Sequence, residues 1–287
     1  CHIFLILLIK TIRESTVMNQ GSGFQLEGNA AALYEVQKVP GMFAPLADAT
    51  IDAVAISKND TIIDLACGTG ILARKVRNKI GSQSRIVGTD LNENMIEVAR
   101  SLNSDLPGSC EWQIADVCDL PFESGTFSLA MCQQGVQYFP DKERAMREVR
   151  RVLANEGRIL LTVWCENSIF MQSVSDRLSQ NVSIEAGRKA LAPFSYNAEL
   201  LKPVLSDIGF VDFSVEKLTV NRIVKASKEA IADELMSLPI ASLIKNKGQK
   251  ILDKIVDEVM EDLVDYISDT NIVTPQETRL IQARVGI

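Results

Sequence analysis

The stretch DLACGTGILA, Asp64 to Ala73, places a carboxylate, two glycines and the start of a helical pattern directly after a run of apolar residues. Gly68 and Gly70 remove side chains where a ligand must approach backbone N–H groups, and the following helix offers its N-terminus to that ligand. Gly68, Gly70 and Ala73 satisfy GxGxxA, and Asp90 follows Gly70 by 20 residues at the end of the next apolar run. A carboxylate there can accept from both ribose hydroxyls, so this pair alone predicts a nicotinamide dinucleotide. A third carboxylate, Asp116, closes the run CEWQIAD, and the next run, TFSLAMCQ, opens into CQQGVQYFP with adjacent amides at Gln133 and Gln134. Amides orient a ligand without taking or giving protons. Singly, Asp64 or Asp116 reads as a loop or helix-capping carboxylate and Gly70 as a turn residue. Their order at the ends of successive apolar runs is what points to one adenosine-containing ligand.

The elements that must position these residues alternate. TIIDLAC (61–67), RIVGTD (85–90), CEWQIAD (110–116), TFSLAMCQ (126–133) and RILLTVW (158–164) are short apolar runs of strand length. Between them ILARKVRNKI, NENMIEVARSL and KERAMREVRRVL carry helical spacing, the last with Ala145, Met146, Val149, Val152 and Leu153 on one face. Asn155 to Gly157 reads as the turn that closes this last helix. Strand–helix alternation of this kind predicts an α/β fold with a doubly wound, mostly parallel sheet, seven-stranded once FVDFSVEKLTV (210–220) and RLIQARV (279–285) are added. Residues 29–56 read as two short helices broken at VPGMFAP. About 227–267 reads as a helical insertion between the last two strands, a lid over the ligand edge of the sheet. The chain thus divides into 1–17, a non-native or disordered extension; 18–58, N-terminal helices; 59–165, a cofactor-binding α/β core; and 166–287, the rest of that domain with its lid.

The chain has 287 residues, 46% of them hydrophobic, and a net charge of −7. That is ample for a core and lacks the basic footprint of a nucleic-acid binder. The cysteines at 1, 67, 110, 118, 132 and 165 include no CxxC pair, which predicts reduced thiols in a cytoplasmic protein. His2 is the only histidine, and no metal site is expected. CHIFLILLIK is too short to span a bilayer and follows no basic segment, so stable membrane insertion is not expected.

With Asp64, the glycines, Asp90, Asp116 and CQQG in this order, the chain resembles the class I S-adenosylmethionine-dependent methyltransferases. It is most similar to the small-molecule branch (methyltransferase type 11) that includes quinone and sterol methyltransferases. The resemblance covers about 29–285 and is most specific over 61–164, through DLPFESGTFSLAMCQQGVQYFPDKERAMREVRRVLANEGRILLTVW; the closing TPQETRLIQARV adds to it. It implies S-adenosyl-L-methionine as cofactor, with Asp64, Ala66, Gly68 and Gly70 around its methionine part. It implies Asp90 on the ribose, Leu91 and Met95 flanking the adenine, Asp116 accepting from the adenine amino group with Val117 beside it, and Gln133 near the sulfonium. Tyr34 from the N-terminal helices would close over the cofactor, or simply pack. The family often has Gly where this chain has Ala66.

A sulfonium makes its methyl group electrophilic, so the protein must align a small organic acceptor and exclude water. With no histidine in the fold, the catalytic candidates are Gln133, Gln134, Tyr138 and Tyr34, with Glu166 or a water as alternative bases. Trp164 and Phe170 line the acceptor pocket or the core. Two alternatives stand beside this reading: an NAD(P)-dependent Rossmann oxidoreductase, and a non-catalytic methyltransferase-fold binding protein.

Overall fold

A computed structural model describes residues 30–103, 106–165, 168–194, 196–238 and 240–286. The expectation for 1–17, His2 and the base candidate Glu166 lie outside the described residues.

Continuous apolar runs become buried parallel strands because helices cover both their faces. β1 (Ile62–Leu65), β2 (Ile86–Asp90), β3 (Glu111–Ile114), β4 (Phe127–Gln133) and β5 (Leu153–Trp164) pair in parallel, and β6 (Phe210–Lys225) and β8 (Asn271–Val285) complete the order β3-β2-β1-β4-β5-β8-β6. β8 runs antiparallel to both neighbours, and the two-residue β7 (Ile267–Ser268) forms a hairpin with it. The predicted seven-stranded, mostly parallel sheet is therefore present.

The side-chain period of two splits each strand between two cores. Ile62, Ile86, Leu129 and Met131 face α2 (Ala44–Asp52), α3 (Ile71–Ile80) and α4 (Glu93–Ser101); Ile63, Val87, Ala130 and Cys132 face α5 (Lys142–Val152) and α8 (Leu201–Asp207). α5 illustrates the local logic. The Asp141 carboxylate accepts from Arg144 N–H at 2.9 Å as its N-cap, worth about 1 kcal/mol, and Ala145, Met146, Val149 and Val152 are buried. A third cluster joins α6 (Ile169–Asn181) and α7 (Ile184–Leu191) to the insertion helices α9 (Lys228–Met236), α10 (Ala241–Lys247) and α11 (Gln249–Asp262). It packs on the ends of β5, β6 and β8, where Trp164, Val220, Val224 and Ile272 are buried. None of the described helices is long and apolar enough to cross a membrane.

The two short N-terminal helices are present, α1 (Ala30–Gln37) and α2, and between them VPGMFAP winds through a π-helical turn, Val39–Phe43, that leads into α2. Pro40 stands in the first turn, where no N–H partner is required. Gly41 lets the turn lie on β6, since a Cβ there would come 2.2 Å from the Ile223 carbonyl oxygen. Two expectations are corrected. Asn155 to Gly157 do not follow the helix as a separate turn. α5 stops at Val152 and these residues form a bulge inside β5, with Glu156 at φ 60°. Finally, β6 and β8 extend well beyond the predicted spans, because β8 carries buried polar residues, Thr274, Gln276 and Thr278, which do not read as core.

Candidate functional site

The carboxyl ends of β1, β2, β3 and β4 converge on a cavity of about 240 Å3. This is where an open α/β sheet reverses strand order and binds ligands. Asp64, 1% exposed, receives the Ala73 N–H on Oδ2 at 3.1 Å, tying β1 to the first turn of α3, while its Oδ1 is buried without a partner. Chain reversal follows through Ala66 and Gly68 at φ 49° and 57°. Gly68 N–H donates to Asp90 Oδ2 at 2.8 Å and Asn92 N–H to Oδ1 at 2.9 Å, so one carboxylate joins the glycine loop to the start of α4. Asn92 caps that helix by accepting from Asn94 and Met95 N–H. At the end of β3, Asp116 Oδ1 accepts from Cys118 N–H at 2.8 Å and fixes the turn beside Val117.

Asp64, Ala66, Gly68, Asp90, Leu91 and Met95 line the cavity, as do Asp116, Val117 and Gln133. Leu91 is 53% exposed at the rim, whereas Met95 is buried. Gly70 does not line it. It starts α3 at φ 84°, and a Cβ there would lie 2.2 Å from Trp112 Cη2, so its small size makes room for an indole of β3. That indole also fills the space beside Gly88.

The two glutamines separate. Gln134, at φ 59°, is consumed by the fold: its Nε2 donates to Thr278 Oγ1 at 2.9 Å and Thr162 Oγ1 at 3.3 Å, and its Oε1 accepts the Trp164 N–H at 2.6 Å. Gln133 donates to the Phe43 carbonyl at 3.1 Å, and its Oε1 is buried without a partner. The N-terminal segment closes the cavity. Tyr34 lies over the glycine loop, 3.9 Å from where a Gly68 Cβ would be, and its ring is 5.2 Å from that of Phe43. Glu35 holds α1 against α3 through Arg74 Nη2 at 2.6 Å. Phe43 was not anticipated, because VPGMFAP reads as a break and not as a wall. Trp164 lines the cavity; Phe170 does not, and sits buried in the lid cluster.

Burial sets the protonation states. Asp64 is pushed up to about 7 by burial, against its bond from Ala73 and with a contribution from the neighbouring Asp90 charge. Burial also raises Asp90, although the N–H groups of Asn92, Gly68 and Leu91 pull it back. The Tyr34 and Tyr138 hydroxyls are raised by burial, which makes both poor bases at neutral pH. Burial raises the Cys67 and Cys132 thiols, the latter to about 12, so neither is a thiolate nucleophile. Among the described residues no group of three or more His, Cys, Asp or Glu is placed to hold a metal ion.

A folded Asp64 near 7 against about 3.9 unfolded means that the native state holds the extra proton between those values. Stability therefore falls as pH rises from about 4 to about 7, by up to about 4 kcal/mol for this group. Thermal melts of the ligand-free protein should show this decline, and Asp64→Asn should flatten it. Gly68→Val puts a branched side chain in the left-handed region between the loop and Tyr34. Cofactor binding should be lost while the circular-dichroism spectrum is retained; unchanged affinity would mean that the loop is not a cradle.

The unpartnered oxygens fit a methionine moiety. Asp64 Oδ1 and Gln133 Oε1 are both acceptors buried in the cavity wall, and an ammonium brings three donors and a charge that an Asp64 carboxylate would favour.

Residues 62–157 match the family model described as a methyltransferase domain. A ubiquinone/menaquinone biosynthesis C-methyltransferase of an Enterobacter species is 35% identical over 114 residues, 39% of this chain and 45% of that protein. Its counterpart in Klebsiella pneumoniae is 29% identical over 185 residues, 59% of this chain and 74% of that protein. The chain thus spans less than half of the first relative. Among solved structures, a phosphoethanolamine N-methyltransferase of Haemonchus contortus in complex with S-adenosyl-L-methionine superposes with a TM-score of 0.53 at 18% identity, over 90% of this chain and 60% of that one. The YcgJ protein of Bacillus subtilis gives 0.52 at 17%, over 84% and 98%. At these identities the two structures speak to the fold.

Proposed function

We propose that this chain, whose residues 62–157 match a methyltransferase domain, is a class I S-adenosylmethionine-dependent methyltransferase that transfers the methyl group to a small organic acceptor arriving already nucleophilic. The observation that carries this reading is the pair of unpartnered buried acceptors, Asp64 Oδ1 and Gln133 Oε1, in a cavity whose tyrosines are raised by burial. Bound S-adenosylmethionine would supply the electrophilic methyl. This chain's residues would do the rest. Asp64 and Gln133 hold the methionine end, Gly68 gives the backbone access, Asp90 holds the ribose, and Asp116 the adenine amino group with Leu91, Met95 and Val117 around the ring. Tyr34 and Phe43 exclude water, which protects the sulfonium and strengthens every polar contact inside. A carboxylate or enolate acceptor requires no base, and none of the side chains lining the cavity is an imidazole.

The nicotinamide alternative rests on GxGxxA spacing, and Gly70 packs on Trp112 and away from the cavity. A soluble cytoplasmic enzyme is the location we propose, since Cys67, Cys110, Cys118, Cys132 and Cys165 are all free and buried. Nucleic acid is an unsuitable acceptor for a chain of net charge −7. The test is incubation with methyl-labelled S-adenosylmethionine and a panel of aromatic and aliphatic carboxylates, phenols and amines. Label recovered in a small molecule supports the reading, and binding of the cofactor without transfer to any acceptor would favour the non-catalytic alternative.

A further inference from the structure

Beneath the insertion helices the sheet edge carries a buried strip of polar groups that the cofactor site does not use. Thr274, Gln276 and Thr278 of β8 are 1%, 0% and 0% exposed. They share one face, since strand residues two apart point the same way. The register sets Arg222 of β6 directly opposite Thr274, and Val220 opposite Gln276. Opposite residues of an antiparallel pair share a face with Cβ atoms about 5 Å apart. Arg222 is therefore beside Thr274 and diagonal to Gln276 on the buried side.

Thr278 is fully engaged, accepting from Gln134 and donating to the Val163 carbonyl. The other three are not. Gln276 Oε1 accepts from Ser168 Oγ at 2.6 Å, but its Nε2 has no partner. Thr274 Oγ1 has none either. Arg222, 3% exposed, donates through Nη2 to Glu234 and through Nη1 to Met42 Sδ at 3.2 Å, and its Nε–H is unpartnered. Its guanidinium lies 4.5 Å from the Phe170 ring centroid and 5.9 Å from that of Phe194.

The partly buried Lys38 Nζ also meets Glu234, at 2.5 Å, so one carboxylate is shared by the buried Arg222 and a second cation, to which Asp233 adds its field. Asp233, which accepts from Gln37 at 3.3 Å, lies on the exposed side. A buried charge without full compensation is costly. The free groups are an Arg N–H, an amide NH2 and a hydroxyl, all able to donate. Phe194 stacks on Trp164 at 6.2 Å, and Trp164 lines the cofactor cavity, so one aromatic layer separates strip and cavity.

We infer that the Arg222–Thr274–Gln276 strip recognises an anionic oxygen group of carboxylate size on the methyl acceptor, whose apolar body lies against Phe194 and Trp164. This rests on the methyltransferase reading and adds to it the class of acceptor. The strip is closed in this structure, so the acceptor reaches it when α9, which carries Glu234, lifts from β6.

The probe is 2-naphthoate, with 2-naphthalenemethanol as its neutral counterpart, titrated into the full chain saturated with S-adenosylhomocysteine and followed by tryptophan fluorescence. Naphthoate should bind at least about tenfold more tightly than the alcohol, as expected for charge-assisted hydrogen bonds. Gln276→Glu keeps an acceptor for Ser168 but replaces the free donor with a negative charge. It should weaken naphthoate binding at least about tenfold and leave S-adenosylhomocysteine affinity unchanged. If that variant does not fold, Thr274→Val should weaken naphthoate by about threefold or more. Equal binding of the two probes, no binding of naphthoate, or full naphthoate affinity in the folded variant overturns the inference. Failure of S-adenosylhomocysteine itself to bind the unaltered chain would overturn the reading beneath it.

Discussion

Asp90→Ala should weaken S-adenosylhomocysteine binding on the order of 100-fold while the protein remains folded. The Asp90 carboxylate has two tasks. It receives Gly68 N–H at 2.8 Å and Asn92 N–H at 2.9 Å, which fixes the glycine loop against the start of α4. Each oxygen keeps a lone pair for a further donor, and it is these that the ribose hydroxyls would use. A hydrogen bond to a charged group contributes about 1.5–3 kcal/mol. Losing two of them at the low end of that range costs about 3 kcal/mol, and 1.4 kcal/mol is tenfold in affinity. Calorimetric titration of the variant reads this loss directly. Its circular-dichroism spectrum should match that of the unaltered protein, because the strands and helices on either side of the loop keep their own hydrogen bonds and buried cores. An affinity within about threefold of the unaltered chain would remove Asp90 from the cofactor site.

Gly70→Ala should be the most destabilising single methyl addition in the loop. The new Cβ would lie 2.2 Å from Trp112 Cη2 and 2.5 Å from Cζ3, and the backbone is at φ 84°. Overpacking a filled core costs about 1–3 kcal/mol, and a non-glycine residue in the left-handed region about 1–2 kcal/mol more. A total of about 3 kcal/mol corresponds to a fall in Tm of roughly 6–12 °C for a domain of this size. Relief is possible at one place only: shortening the indole. Trp112→Leu should therefore lose less stability in the Gly70→Ala background than in the parent, a coupling that a double-mutant cycle measures. Gly68→Val and Gly70→Ala stand only two residues apart, yet the first should strike binding and the second stability.

That contrast also marks where sequence reading ends. The strand–helix alternation was legible because period-two and period-3.6 patterns change sharply at Gly68, Asp90 and Asp116, and strand ends with carboxylates must meet at one edge of the sheet. Gly68 and Gly70 look alike in sequence. What separates them is Trp112, a residue 42 positions beyond Gly70 that only the sheet order β3-β2-β1 brings to α3. Gln133 and Gln134 likewise differ by their surroundings. The left-handed backbone at Gln134 turns its amide to Thr162 and Thr278 on β5 and β8, and Thr278 is 144 residues away. Phe43 escaped notice because a proline and a glycine beside it read as a break, whereas a π-helical turn carries the chain through. The polar strip on β8 was invisible for a similar reason. Threonine and glutamine at alternate positions look like a solvent-facing stripe until the insertion helices cover them.

The central claim is that Asp64, Gly68, Asp90, Asp116 and Gln133 form one cradle for S-adenosylmethionine. Isothermal titration of the unaltered chain with S-adenosylhomocysteine, with NADH titrated in parallel, tests it most directly. The account predicts saturable binding of one S-adenosylhomocysteine per chain and no heat from NADH. A folded protein that gives no S-adenosylhomocysteine binding, or that binds NADH in its place, would contradict it.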